Sequence, residues 1–136
     1  MASVITHFEV YVDNIGRAKK FYESVFGWAF KDLGSEMNNY VIVFPSGEIT
    51  EGPAKAGING GMMQRPGPAP SDNKAAPNAY VCMVSIDQIE PALQRVVEHG
   101  GRVDMPVMEV PTVGKLAYIR DSEMNLVGVL QPEEGM

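Results

Sequence analysis

The chain has 136 residues, 45% hydrophobic and 21% charged, which is the composition of one soluble globular domain with its own core. A net charge of −6 excludes the basic surface that phosphate binding needs, so neither nucleic acid nor an anionic membrane is expected as a partner. The N-terminus lacks the basic-then-apolar order of a signal peptide, no run is long and apolar enough to span a bilayer, and a lone cysteine, Cys82, excludes an internal disulfide framework. A cytoplasmic location is therefore expected.

Val4 to Val12 has high β propensity and ends at Asp13-Asn14, a helix-start signal. Ile15, Ala18, Tyr22, Val25 and Phe26 then recur at helical spacing, with Lys19, Lys20 and Glu23 on the other side, until Gly27. Strands are expected from Trp28, over Tyr40 to Phe44, and over Ile58 to Gln64, the last weakened by its glycines. Residues 66–77 are dominated by prolines, small residues and polar residues and read as a linker or a long exposed loop. The pattern restarts with a strand over Ala79 to Ile86, in which Cys82 is expected to fill core. A helix follows from Asp87, with Glu90 placed for a capping box and Pro91 in the first turn. Its stripe of Ile89, Ala92, Leu93, Val96 and Val97 stops at Gly100-Gly101. Short strands are expected near Arg102 to Asp104, Leu116 to Arg120 and Asn125 to Gln131.

The two halves align with a shift of 74 residues: Asp13-Asn14-Ile15 falls on Asp87-Gln88-Ile89, Ala18 on Ala92, and Gly27 on Gly101. Gly61-Met62-Met63-Gln64 resembles Gly128-Val129-Leu130-Gln131. Each half reads βαβββ, and one such half is too small to bury its helix and sheet well alone. The predicted fold is α+β: two βαβββ modules, over residues 3–65 and 78–132 of a single domain, forming a curved mixed sheet around a cleft.

His7-Phe8-Glu9-Val10-Tyr11-Val12-Asp13, followed by Ala18, Phe21-Tyr22 and Phe26-Gly27-Trp28, resembles the opening of vicinal-oxygen-chelate proteins. That superfamily holds glyoxalase I, bleomycin-resistance proteins and extradiol dioxygenases. Asp121-Ser122-Glu123-Met124-Asn125 is similar to its closing Asp-Pro-x-Gly-Asn turn, with Ser122 in place of the proline and Met124 in place of the glycine. The resemblance implies four metal-ligand positions, which fall on His7 and Val81 and near Gly61 and Gly128. Only His7 carries a donor, and neither Ile58 to Gln64 nor Asn125 to Gln131 contains Asp, Glu or His. The metal site of a lactoylglutathione lyase or an extradiol dioxygenase is thus incomplete. No cofactor is expected; the alternative is Ni, Zn, Mn or Fe bound in some other way.

Strand alternation puts His7, Glu9 and Tyr11 on one face and Phe8, Val10 and Val12 on the helix side. In the second module Val81, Met83 and Ser85 take the first role. His7 and Glu9 fall about 6.5 Å apart and could act as base and partner or hold a small ligand. The predicted ligand-binding set is His7, Glu9, Tyr11, Met62, Met83 and Ser85, with His7 and Glu9 as catalytic candidates. The plainer reading of His7 is a residual histidine that only hydrogen-bonds Glu9 or a neighbour. Gly57-Ile58-Asn59-Gly60-Gly61 lacks the Lys-Ser/Thr of a phosphate loop; its expected role is to let the strand bend or a ligand approach the backbone. The function expected is a metal-independent small-molecule binder of the glyoxalase and bleomycin-resistance kind, as a homodimer. The alternatives are a glyoxalase-type lyase or isomerase using His7 and Glu9, and an accessory protein-interaction member.

Overall fold

A computed structural model describes residues 2, 5–52, 54, 56–68 and 80–133 of the chain. It divides into two compact units, Met1–Pro68 and Ala69–Met136. Most of the expected linker, and the first residues expected in each opening strand, Val4 and Ala79, lie outside the described residues. No described helix is long and apolar enough to cross a membrane.

The first unit runs β1 (His7–Val12), α1 (Ile15–Phe26), β2 (Ala29–Asp32), β3 (Val41–Phe44) and β4 (Asn59–Gln64). The second repeats it as β5 (Met83–Ser85), α2 (Ile89–Glu98), β6 (Arg102–Val110), β7 (Gly114–Arg120) and β8 (Leu126–Pro132). The sheets have corresponding orders, β1-β4-β3-β2 and β5-β8-β7-β6. In each, the first strand pairs parallel with the last and the other pairings are antiparallel. The duplication read from the sequence is therefore a duplication of topology.

Helix α1 begins where Asn14 accepts the Arg17 N–H at 2.9 Å and ends at Gly27, whose φ of 75° suits a residue without a Cβ. It buries Ala18, Phe21, Tyr22 and Val25, while its sheet contributes Val12, Val41, Val43 and Met62 to the core. Trp28 stacks on Tyr22 at 4.6 Å and meets Phe8 at 5.9 Å, which ties the helix exit to β1. In the second unit Ile89, Ala92 and Val96 of α2 are buried, as are Ala117, Ile119, Val127 and Val129 of the sheet.

Three local expectations give way. Helix α2 starts one residue late, after Gln88, without the capping box; the Ile89 N–H is met instead by Gln131 Oε1 at 2.9 Å. A side chain from β8 thus satisfies a donor that a local cap was expected to satisfy. Strand β6 runs to Val110 because the register shifts between Val103 and Met108 carry it past Pro106. Cys82 precedes a β5 of only three residues and is exposed, not core.

Candidate ligand-binding site

Strand β1 alternates as its sequence requires. His7, Glu9 and Tyr11 are exposed, Phe8 and Val10 are half-buried, and Val12 is buried. The parallel register sets Asn59 beside His7, Gly61 beside Glu9 and Met63 beside Tyr11. The antiparallel register of β3 on β4 pairs Ile42 with Gly61, so Tyr40, two residues earlier, emerges on this same face.

Tyr40 organises that face. Its hydroxyl lies 2.8 Å from His7 Nε2 and donates to Glu9 Oε2 at 3.0 Å. His7 and Glu9 are thus joined through a third residue, not directly. The space for the ring exists because position 61 is glycine: a Cβ there would collide with Oη, Cζ and Cε1 of Tyr40. A Cβ at Gly60 would meet the Phe8 ring on the opposite face. The glycines of β4 therefore admit the chain's own aromatic rings, where a bend or a ligand was expected.

The Tyr40 hydroxyl is pushed up from 10.0 to about 12 by burial, then by its hydrogen bond to Glu9 and by the charge of Glu9. It is a neutral phenol at any physiological pH. Because the folded value lies above the unfolded one, stability from this group is complete below about pH 10 and falls as pH rises towards 12. In an ultraviolet phenolate titration, the Tyr40 step should come late, near pH 12, and Tyr40→Phe should delete it. A titration of the folded protein that Tyr40→Phe leaves unchanged near pH 12 would refute the geometry.

The other predicted residues divide. Tyr11 shares the His7 face. Met83 and Ser85 lie on the corresponding face of the second sheet, Met83 across from Gly128 and Ser85 across from Leu130. There the Met83 thioether lies where a Cβ on Gly128 would stand, with Tyr118 at its edge. Met62 is a correction. It pairs with Val10 and Val41 on the helix side and is 0% exposed, so it is core, and Met63 takes the place beside Tyr11. Sequence reasoning missed Tyr40 because it lies just before β3, 33 residues from His7.

Residues 4–129 match the sequence profile of the Glyoxalase/Bleomycin resistance protein/Dioxygenase superfamily. The chain belongs to this superfamily. Curated relatives named putative glyoxylase CFP32, from Mycobacterium tuberculosis and Mycobacterium bovis, are 30% identical over 115 residues, 84% of the chain. The chain spans only about 40% of the length of those relatives. Among solved structures, the fosfomycin resistance protein FosX of Listeria monocytogenes with Mn(II) and sulfate aligns at a TM-score of 0.69 and 14% identity, covering 98% of this chain and 94% of that one. TnmS3, an antibiotic binding protein from Streptomyces sp. CB03234, aligns at 0.66 and 20%, covering 97% and 98%. These likenesses establish the glyoxalase-type fold.

The donor set does not fit a metal of the superfamily's type. The positions of Gly61 and Gly128 hold no carboxylate, and the space of their missing side chains is filled by Tyr40 and by Met83. Among the described residues no group of three or more His, Cys, Asp and Glu could hold a metal ion.

Proposed function

We propose that this member of the superfamily is a metal-independent small-molecule binder whose ligand contacts the His7–Tyr40–Glu9 face. The observation that carries this reading is the Tyr40 ring seated over Gly61. It fills the place of an expected ligand carboxylate and turns His7 and Glu9 into a fixed polar array. Fixed polar groups on a rigid sheet, with Tyr11 and Met63 alongside, suit recognition. The fold likeness to TnmS3, described as antibiotic binding, is in keeping with this reading.

The 30% identity to putative glyoxylases favours a second reading, a glyoxalase-type lyase or isomerase using His7 and Glu9. One experiment separates the two. The binder should give a thermal shift with a small-molecule panel, about 2.7 kcal/mol of stabilisation at a hundredfold excess over Kd. That shift should persist after chelation and shrink in His7→Ala. Stoichiometric uptake of Ni, Zn, Mn or Fe, with turnover of the methylglyoxal–glutathione hemithioacetal, would establish the lyase instead. A cytoplasmic homodimer belongs to the same proposal, with support from family resemblance, and light scattering would test the dimer.

A further inference from the structure

The proton count on Tyr40 determines what the binding face can recognise. A phenol has one hydrogen to donate. A carboxylate only accepts, so that hydrogen lies in the 3.0 Å bond to Glu9 Oε2. Towards His7 the phenol oxygen must then accept, and the 2.8 Å contact requires a hydrogen on Nε2. A neutral His7 is therefore held as the Nε2–H tautomer, with its lone pair on Nδ1. Neither Nδ1 nor Glu9 Oε1 has a hydrogen-bond partner among the described residues. Asn59, beside His7 in the register, adds an amide oxygen that is buried and has no such partner.

Resting on the binder reading above, we propose that the His7–Tyr40–Glu9 face selects ligands bearing a cationic hydrogen-bond donor, a protonated amine or a guanidinium on an otherwise apolar body. The atoms that the His7–Tyr40–Glu9 array leaves unpaired, His7 Nδ1 and Glu9 Oε1, are both acceptors, and with neutral His7 the Glu9 carboxylate gives the array one negative charge. An ammonium brings several N–H donors and the opposite charge, and a charge-assisted hydrogen bond of this kind is among the stronger ones. A carboxylate or phosphonate would bring acceptors to acceptors and a like charge to Glu9. Apolar surface for the rest of the ligand is available at Tyr11 and Met63.

The test has two arms on the intact protein. In the first, nitrogen-15 NMR reads the His7 tautomer at a pH where the ring is neutral. Protonation at Nε2 is expected, with loss of that preference in Tyr40→Phe; protonation at Nδ1 overturns the proposal without touching the binder reading. In the second, calorimetry compares phenethylamine, 2-phenylethanol and 3-phenylpropionate. The amine should bind about tenfold or more tighter than the alcohol, as one charge-assisted hydrogen bond predicts, and the acid should not compete. Glu9→Gln should bring amine and alcohol binding to the same strength, and a preference for the amine that survives this change overturns the proposal. Equal binding of all three overturns charge selection and leaves a binder. Binding of none of them overturns charge selection, and the thermal-shift panel alone then decides the binder reading.

Discussion

Gly61→Val is expected to destabilise the protein by about 1–3 kcal/mol, the usual range for forcing methyl groups into filled space, and to dismantle the polar array. The added Cβ would coincide with the Tyr40 ring. The backbone of Tyr40 cannot retreat easily: its N–H bonds Met37 O at 3.1 Å and its carbonyl accepts from Leu33 at 3.0 Å. The side chain must therefore rotate away, which breaks the bonds to His7 and Glu9 together. The variant should lose the late tyrosine ionisation and the amine preference in one step. Gly128→Ala is the natural control. Its Cβ would meet the end of Met83, a flexible side chain that is 44% exposed and can swing aside, so the loss should stay under about 1 kcal/mol. Denaturant melts of the two variants compare these costs directly. Equal losses, or a Gly61→Val protein with its late phenol intact, would mean that Tyr40 does not depend on the glycine.

Asp121→Ala is expected to cost about 3 kcal/mol, since it strands buried donors that each cost about 1–3 kcal/mol when unmet. Asp121 is 1% exposed, between β7 and β8. One carboxylate oxygen accepts from the N–H groups of Glu123 at 2.7 Å and Asn125 at 2.8 Å; the other accepts from the Asn125 amide at 3.1 Å. These bonds close a turn in which Met124 has a φ of 69°, a left-handed conformation usually given to glycine. The carboxylate holds a backbone that Met124 by itself disfavours. Asp121→Asn keeps an oxygen for the two backbone donors and should lose less than half as much. Urea unfolding with unchanged m-values would measure both. If alanine and asparagine cost the same, the stability of this turn lies elsewhere than in the carboxylate's acceptors.

Much of the architecture was legible because it rests on periodicity. Alternation along His7 to Val12 gives each residue its face, and the 74-residue repeat marks the two βαβββ modules, whose sheets share one strand order. The equivalence of Gly61 with Gly128 also holds, since each stands across from an aligned residue, Glu9 and Met83. The errors have a common cause. Two adjacent methionines do not by themselves show which points inward, and the register turns Met62 to the core and Met63 to the Tyr11 face. The apolar character of Cys82 points to core, yet β5 starts only at Met83 and leaves it exposed. Asp87 and Glu90 are spaced for a local cap of α2, while the Ile89 N–H finds its partner in Gln131, 42 residues away.

The chain by itself determined the fold class, the paired modules and the lack of ligand carboxylates in its closing strands, because these depend on local spacing and on residue type. Only the tertiary structure decided how His7 and Glu9 are used. Their link is made by Tyr40, brought across by the register of β3 on β4 and admitted by the missing side chain of Gly61. Register between strands is set by the packing of a whole sheet, and a vacancy becomes a site only once something distant is folded into it.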